Sequence, residues 1–196
     1  MKLIIVFLFN VTFAFAQYNT DAVKQQQENL VAFYADTTTS PLKKVDYENF
    51  QGIHFFPINE KYVVRAKFKR TKNQKPFAMK TSGVRTPMYV KYGEISFKID
   101  GKKLKLDVFQ NLDLIKNNPK YKNHLFLPFT DLTSGVTSYG GGRYIDIEIP
   151  EKNKFILDFN TAYNPYCAYT SGYSCPIPPK QNDLDVEILA GVSYKN

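Results

Sequence analysis

The sequence predicts an all-β fold, an antiparallel β-sandwich or barrel with one N-terminal helix. Three observations carry this. From Tyr62 onward, apolar residues recur at every second position, the period of a half-buried strand. Asp100-Gly101 separates two such runs and reads as a two-residue hairpin turn, because a type I′ turn needs positive φ at both positions. No helix-length pattern lies between the later runs, which argues against the βαβ crossovers of a parallel sheet.

The chain opens with a short positive region at Lys2, an apolar run from Leu3 to Phe15 and an Ala14-Phe15-Ala16 cleavage pattern. Residues 1–16 thus read as a signal peptide, with the mature chain beginning at Gln17. The apolar run is shorter than the roughly 20 residues a spanning helix needs. No cysteine follows the cleavage site to carry a lipid. The expectation is an exported protein, periplasmic or secreted, with no transmembrane segment after cleavage. Residues 17–196 are of single-domain size, enough for one sizeable core, and form one β-rich domain with no linker or repeat.

Asn19 to Tyr34 is the one helix. Thr20 or Asp21 can cap it, and Val23, Leu30, Val31 and Tyr34 fall on one face. Thr37-Thr38-Thr39-Ser40-Pro41 ends it. Next, Tyr62, Val64, Ala66 and Phe68 point one way, with Arg65, Lys67 and Lys69 on the other side. Around Asp100-Gly101, pairing Ile99 with Lys102 sets Phe97 against Leu104 and Ile95 against Leu106, so turn and pattern agree on one register. Further strands are expected at 75–81, 87–92, 125–129, 144–149, 154–159 and 184–189.

The chain carries 26 basic and 18 acidic side chains, a formal +8, and cleavage removes only Lys2. Outside the cytosol such a surface meets lipid headgroups, acidic polysaccharides or small phosphates and carboxylates, or it serves solubility alone. Nucleic acid is not an expected partner. Cys167 and Cys175, the two cysteines, enclose a seven-residue loop. In an exported chain they predict a disulfide.

The unusual chemistry concentrates between His124 and Pro179. Gly140-Gly141-Gly142-Arg143 can turn backbone amides toward an anion and add a forked donor. It lacks the Lys-Ser/Thr of a phosphate-binding loop and opens a strand, so a plain turn is the competing reading. Asp146 and Glu148 share the polar face of an alternating strand and read as a solvated pair. Asp158 lies in a strand apolar on both faces, where a carboxylate needs a partner. Asn160 to Pro165 forms a turn-rich loop. Tyr163, Tyr166, Tyr169 and Tyr173 beside it suit either a sugar-like ligand or packing under the disulfide. Neither His54 nor His124 has a second histidine at ligand spacing, no metal set is formed, and no motif names a cofactor.

Several runs carry a resemblance. They are Leu127-Pro128-Phe129-x-Asp131-x-Thr133-Ser134-Gly135, Tyr139 to Tyr144, Leu157-Asp158-Phe159-Asn160-x-Ala162-Tyr163-Asn164-Pro165-x-Cys167-Ala168-Tyr169, and Cys175-Pro176-x-Pro178-Pro179. With Ser40-Pro41-Leu42 and Phe50-x-Gly52-Ile53, they make the chain resemble the bacterial domain-of-unknown-function 1684 family over essentially its mature length. That family carries no established activity, so the resemblance implies a shared site without naming its chemistry. Asp131, Tyr139, Gly140, Gly141, Gly142, Arg143, Asp158, Asn160, Tyr163, Asn164, Cys167 and Cys175 fall on its motifs, whereas His54 and His124 do not. Thr137 and Val192 stand where the family usually has glutamate.

The leading expectation is a protein that binds a small anionic or polyhydroxylated ligand. Tyr139, Gly140–Arg143, Asn160, Tyr163 and Asn164 would contact it, and Cys167–Cys175 would clamp the loop. The rivals are an envelope hydrolase with Asp131 or Asp158 as acid/base and a purely structural envelope protein.

Overall fold

The computed structural model describes residues 18–194; the signal peptide expected at residues 1–16 lies outside the described residues. Helix α1 (Thr20–Ala35) comes first, and Asn19, not Thr20 or Asp21, caps it by accepting from the Asp21 amide at 3.0 Å. A short helix α2 (Lys44–Tyr47) follows. The strands are β1 (Val63–Arg70), β2 (Phe77–Ala78), β3 (Met88–Ile99), β4 (Lys102–Asn111), β5 (His124–Asp131), β6 (Arg143–Glu148), β7 (Lys154–Asp158) and β8 (Asp183–Leu184). Between β4 and β5 lies α3 (Leu112–Asn117), a turn of helix capped by Asn111.

The main strands run in the order β6-β5-β4-β3-β1-β7, each pair antiparallel, with β2 on β3 and β8 parallel to the end of β5. The sheet curls into a half-barrel whose two edges, β6 and β7, are not neighbours in that order. The fold is therefore mostly β and antiparallel.

The β3–β4 hairpin has the register its turn dictates: Ile99 faces Lys102, Phe97 faces Leu104 and Ile95 faces Leu106. Asp100 and Gly101 both take positive φ, 50° and 79°, as the turn requires. The concave side buries Val64, Ala66, Phe68, Ile95, Phe97, Leu106, Leu125, Leu127, Phe129 and Leu157 in one core. A smaller cluster of Met79, Tyr89, Phe109, Phe126 and Tyr144 covers the opposite side of β5 and β6. Both faces of β5 are thereby buried, which is why its sequence is apolar nearly throughout. α1 packs through Tyr34 on Leu42, Ile53 and Val192, away from the main core.

Candidate functional site

The two predicted halves of the site separate in space by what they do. Arg143 at the start of β6 is wholly buried, and its side chain points among the chain's own acceptors. It donates to Asp131 Oδ2 at 2.7 Å and to the carbonyls of Ile188 at 2.8 Å and Ala190 at 2.6 Å. Asp131 completes the unit by accepting from the Thr133 amide and hydroxyl at 2.8 and 2.6 Å and from the Ile188 amide at 3.2 Å. Burial pushes the Arg143 pKa down, and the Asp131 carboxylate opposes that shift. This is a pin that holds the C-terminal segment on the sheet. Arg143 as a ligand contact is corrected accordingly: Nη1 and Nη2 face Asp131 and backbone carbonyls, Nε is buried without a partner, and no part of the side chain reaches the surface. Asp131 as an acid/base fails for the same reason: its side chain has no exposed surface.

Asp158 is also committed. Its carboxylate accepts from the Tyr18 hydroxyl and from the Asn160 amide and side-chain nitrogen, both at 2.8 Å, capping the turn that leaves β7. The acid/base role expected of Asp158 is replaced by a capping one. Asn160 ties this turn to Asn59, accepting from its amide at 2.9 Å and donating to its carbonyl at 3.1 Å. Asn160 thus fastens backbone, with its side-chain oxygen and nitrogen both engaged within the chain, and lies on the wall of a small hollow of about 230 Å³ beneath α1.

In the glycine turn, Gly140 and Gly141 are exposed. Gly142 is buried at φ 85°, where a Cβ would come within 2.7 Å of the Phe129 carbonyl oxygen. Tyr139 donates to the Cys167 carbonyl at 3.2 Å and meets Tyr194 edge-on. Asn164 is buried and donates to the Tyr169 hydroxyl at 2.9 Å. Cys167 and Cys175 form the expected disulfide, with Cα atoms 6.3 Å apart.

Tyr163 is the predicted residue that leads to a cavity. Its backbone bridges to the free edge of β6, exchanging hydrogen bonds with Tyr144 at 2.8 and 2.9 Å. That bridge carries the Tyr163 ring beside Tyr144 and its hydroxyl to Asp146 Oδ2 at 2.6 Å. The other oxygen, Oδ1, accepts from His124 Nε2 at 2.9 Å. His124 and Asp146 meet because β5 and β6 pair with Phe126 opposite Asp146, making His124 a diagonal neighbour on the same face.

Around this His124–Asp146–Tyr163 relay opens a cleft of about 430 Å³. Its walls include Tyr89, Phe126 and Tyr144 from the sheet, Tyr121 before β5, and Tyr166, Tyr173 and Cys175 from the disulfide loop. Tyr89, Phe126, Tyr144 and Tyr163 form a continuous line of rings with centroids 4.7 to 5.8 Å apart. Tyr166 and Tyr173 keep 39% of their surface exposed, and the Asp146 side chain 43%.

The electrostatics suit hydrogen bonding more than nucleophilic attack. Burial pushes the Tyr89 phenol up to about 12 and those of Tyr144 and Tyr163 higher still. These rings therefore stay neutral. The hydrogen bond to Asp146 raises the His124 pKa above its ordinary value, against the pull of burial. In the sequence, the alternation of β6 puts Asp146 on its polar face, but β5 is apolar nearly throughout and nothing within either strand shows that His124 meets Asp146 across the pair.

A second hollow of about 500 Å³ is lined by Asp46, His54, Tyr169 and Tyr194 among others. There the Asp46 carboxylate is already engaged by the Thr170 hydroxyl.

The model of a protein family of unknown function, DUF1684, matches residues 48–193. The chain belongs to the DUF1684 family. Among solved structures it is similar to the solution NMR structure of the uncharacterised protein from gene locus rrnAC0354 of Haloarcula marismortui. The identity is 30% and the TM-score 0.68, over 89% of this chain and 93% of that one. No curated protein matches. The DUF1684 match spans the Arg143 pin, the disulfide loop and all three members of the relay.

Proposed function

We propose that this DUF1684 protein is exported and binds a small polyhydroxylated, sugar-like ligand in the tyrosine-walled cleft. The observation that carries this is the relay of His124, Asp146 and Tyr163 set among flat aromatic faces. A sugar ring offers C–H faces that pack on aromatic rings and hydroxyls that both donate and accept. Asp146 accepts, the Tyr89, Tyr121 and Tyr166 hydroxyls donate, and the disulfide holds the loop that supplies Tyr166 and Tyr173. The anionic half of the earlier expectation rested on Arg143, which is wholly buried, with Nη1 and Nη2 turned to Asp131 and backbone carbonyls, and so offers no donor at the surface. The Asn-Pro-Cys loop is retained as the ligand-facing element and the glycine turn is not. The hydrolase reading loses both carboxylates assigned to it.

Export is supported by the leader-like first 16 residues and by the cysteine pair at disulfide distance. Native mass spectrometry of the protein recovered from its exporting cell tests the proposal. A chain starting at Gln17, with a reproducible added mass of a sugar or polyol that disappears in Asp146→Ala, is expected. A bare chain that also retains residues 1–16 overturns it.

A further inference from the structure

The convex face of the sheet carries a cluster of cations that the ligand cleft does not use. Alternation buries Val64, Ala66, Phe68, Phe97 and Leu104, and so turns Arg65, Lys67, Lys98, Lys103, Lys105 and Lys154 outward, all exposed. They come from four adjacent strands, β7, β1, β3 and β4. The registers set like charges directly opposite one another, Lys67 facing Lys154 and Lys98 facing Lys103. Such pairs destabilise a sheet. Among the described residues the carboxylates on this face lie toward its ends: Glu94, opposite Lys69 and 2.9 Å from Lys105, Asp107, opposite Glu94 and 2.6 Å from Lys91, and Asp158, opposite Val63 and engaged by Tyr18 and Asn160. At the hairpin tip, by contrast, Lys61 pairs with Asp100 and Lys102 with Asp185. Cations are neutralised there and left concentrated on the face.

We infer that this convex face docks on an anionic lipid bilayer. Four strands about 4.8 Å apart spread the charge over a broad surface, matching a sheet of headgroups better than a single polymer chain. Arg65, Lys67, Lys98 and Lys103 also border a depression of about 450 Å³ beside Ser96, room for one phosphate headgroup. Ile156, directly opposite Arg65, is 57% exposed, an apolar side chain among cations that can enter the interfacial region. The outward residues named here include no aromatic ring on which the bases of a single strand would stack. Basic residues near an anionic membrane each strengthen binding by about fivefold, and salt weakens the attraction.

The test is co-sedimentation of the chain beginning at Gln17 with vesicles of phosphatidylcholine alone or mixed with phosphatidylglycerol. The protein pellets with the mixed vesicles at low salt, stays in solution with phosphatidylcholine alone, and is released as salt rises. Lys67→Glu with Lys98→Glu lowers partitioning by at least about 25-fold. It does so without loss of thermal midpoint, because each new carboxylate faces Lys154 or Lys103. Reversing Lys44 and Lys116, which lie on α2 and α3, leaves partitioning nearly unchanged. Failure to pellet with mixed vesicles at low salt overturns the inference. Equal loss in both double variants overturns it too, since net charge alone would then explain binding. Retention by polygalacturonate in place of vesicles would assign the face to an acidic polysaccharide instead.

Discussion

The Arg143 guanidinium and the Asp131 carboxylate meet at 2.7 Å with neither side chain exposed to solvent. Removing one member of such a pair leaves a buried charge unmatched, at a cost of about 3–5 kcal/mol. Arg143→Ala should therefore lower the unfolding free energy by that amount, read as a fall in the urea midpoint, and free residues 184–194 for proteolysis. An unchanged midpoint would return Arg143 to the list of ligand contacts.

Gly142 and Gly140 separate backbone need from flexibility. Gly142→Ala places a side chain at φ 85° against the Phe129 carbonyl and the Pro178 ring, costing at least about 1–2 kcal/mol. Gly140→Ala meets only the Gly135 backbone, at 3.5 Å and beyond, and should leave stability nearly unchanged. Chemical denaturation of the two variants side by side checks the contrast.

His124 gives the cleft a pH signature. Its folded pKa is raised, chiefly by the hydrogen bond to Asp146, above an unfolded value near about 6.5. The stability this contributes is fully present below the unfolded pKa and is lost as pH rises through the raised folded pKa. NMR titration of the ring should show the raised value, and Asp146→Asn should bring it down. The stability gap between wild type and that variant should close on the alkaline side.

The Cys167–Cys175 bridge closes a short loop, which the chain-entropy relation values at about 2–3 kcal/mol. Reduction should lower the denaturation midpoint accordingly. It should also loosen Tyr166 and Tyr173, so their ring resonances should broaden or shift while core signals such as those of Leu125 and Ile145 stay in place.

Local features of this fold were legible because their cause is local. The Asp100-Gly101 turn dictates its own strand register, and β1 shows its buried and exposed faces in plain alternation. Pairings that join distant segments were not. β7 pairs with β1 across some ninety residues, as Val63 opposite Asp158 shows, and nothing within either strand names the other. The strand expected at 184–189 shrinks to Asp183–Leu184: Val186 still accepts from the Leu132 amide, but the backbone groups of Ile188 and Ala190 go to the Arg143 and Asp131 side chains in place of a strand ladder. Strand 75–81 shortens likewise to Phe77–Ala78. At the site, the disulfide and Tyr163 could be read from composition and spacing. The partnership of His124 with Asp146 could not, since it exists only through the β5–β6 register.

The most direct measurement is NMR mapping of a titration with neutral mono- and disaccharides, sugar acids and inorganic phosphate. Saturable shifts of His124 and of the Tyr163, Tyr166 and Tyr173 rings are expected with a sugar, abolished in Asp146→Ala. Shifts confined to the Gly140–Gly141 turn on adding phosphate, with the cleft silent to every sugar, would contradict this.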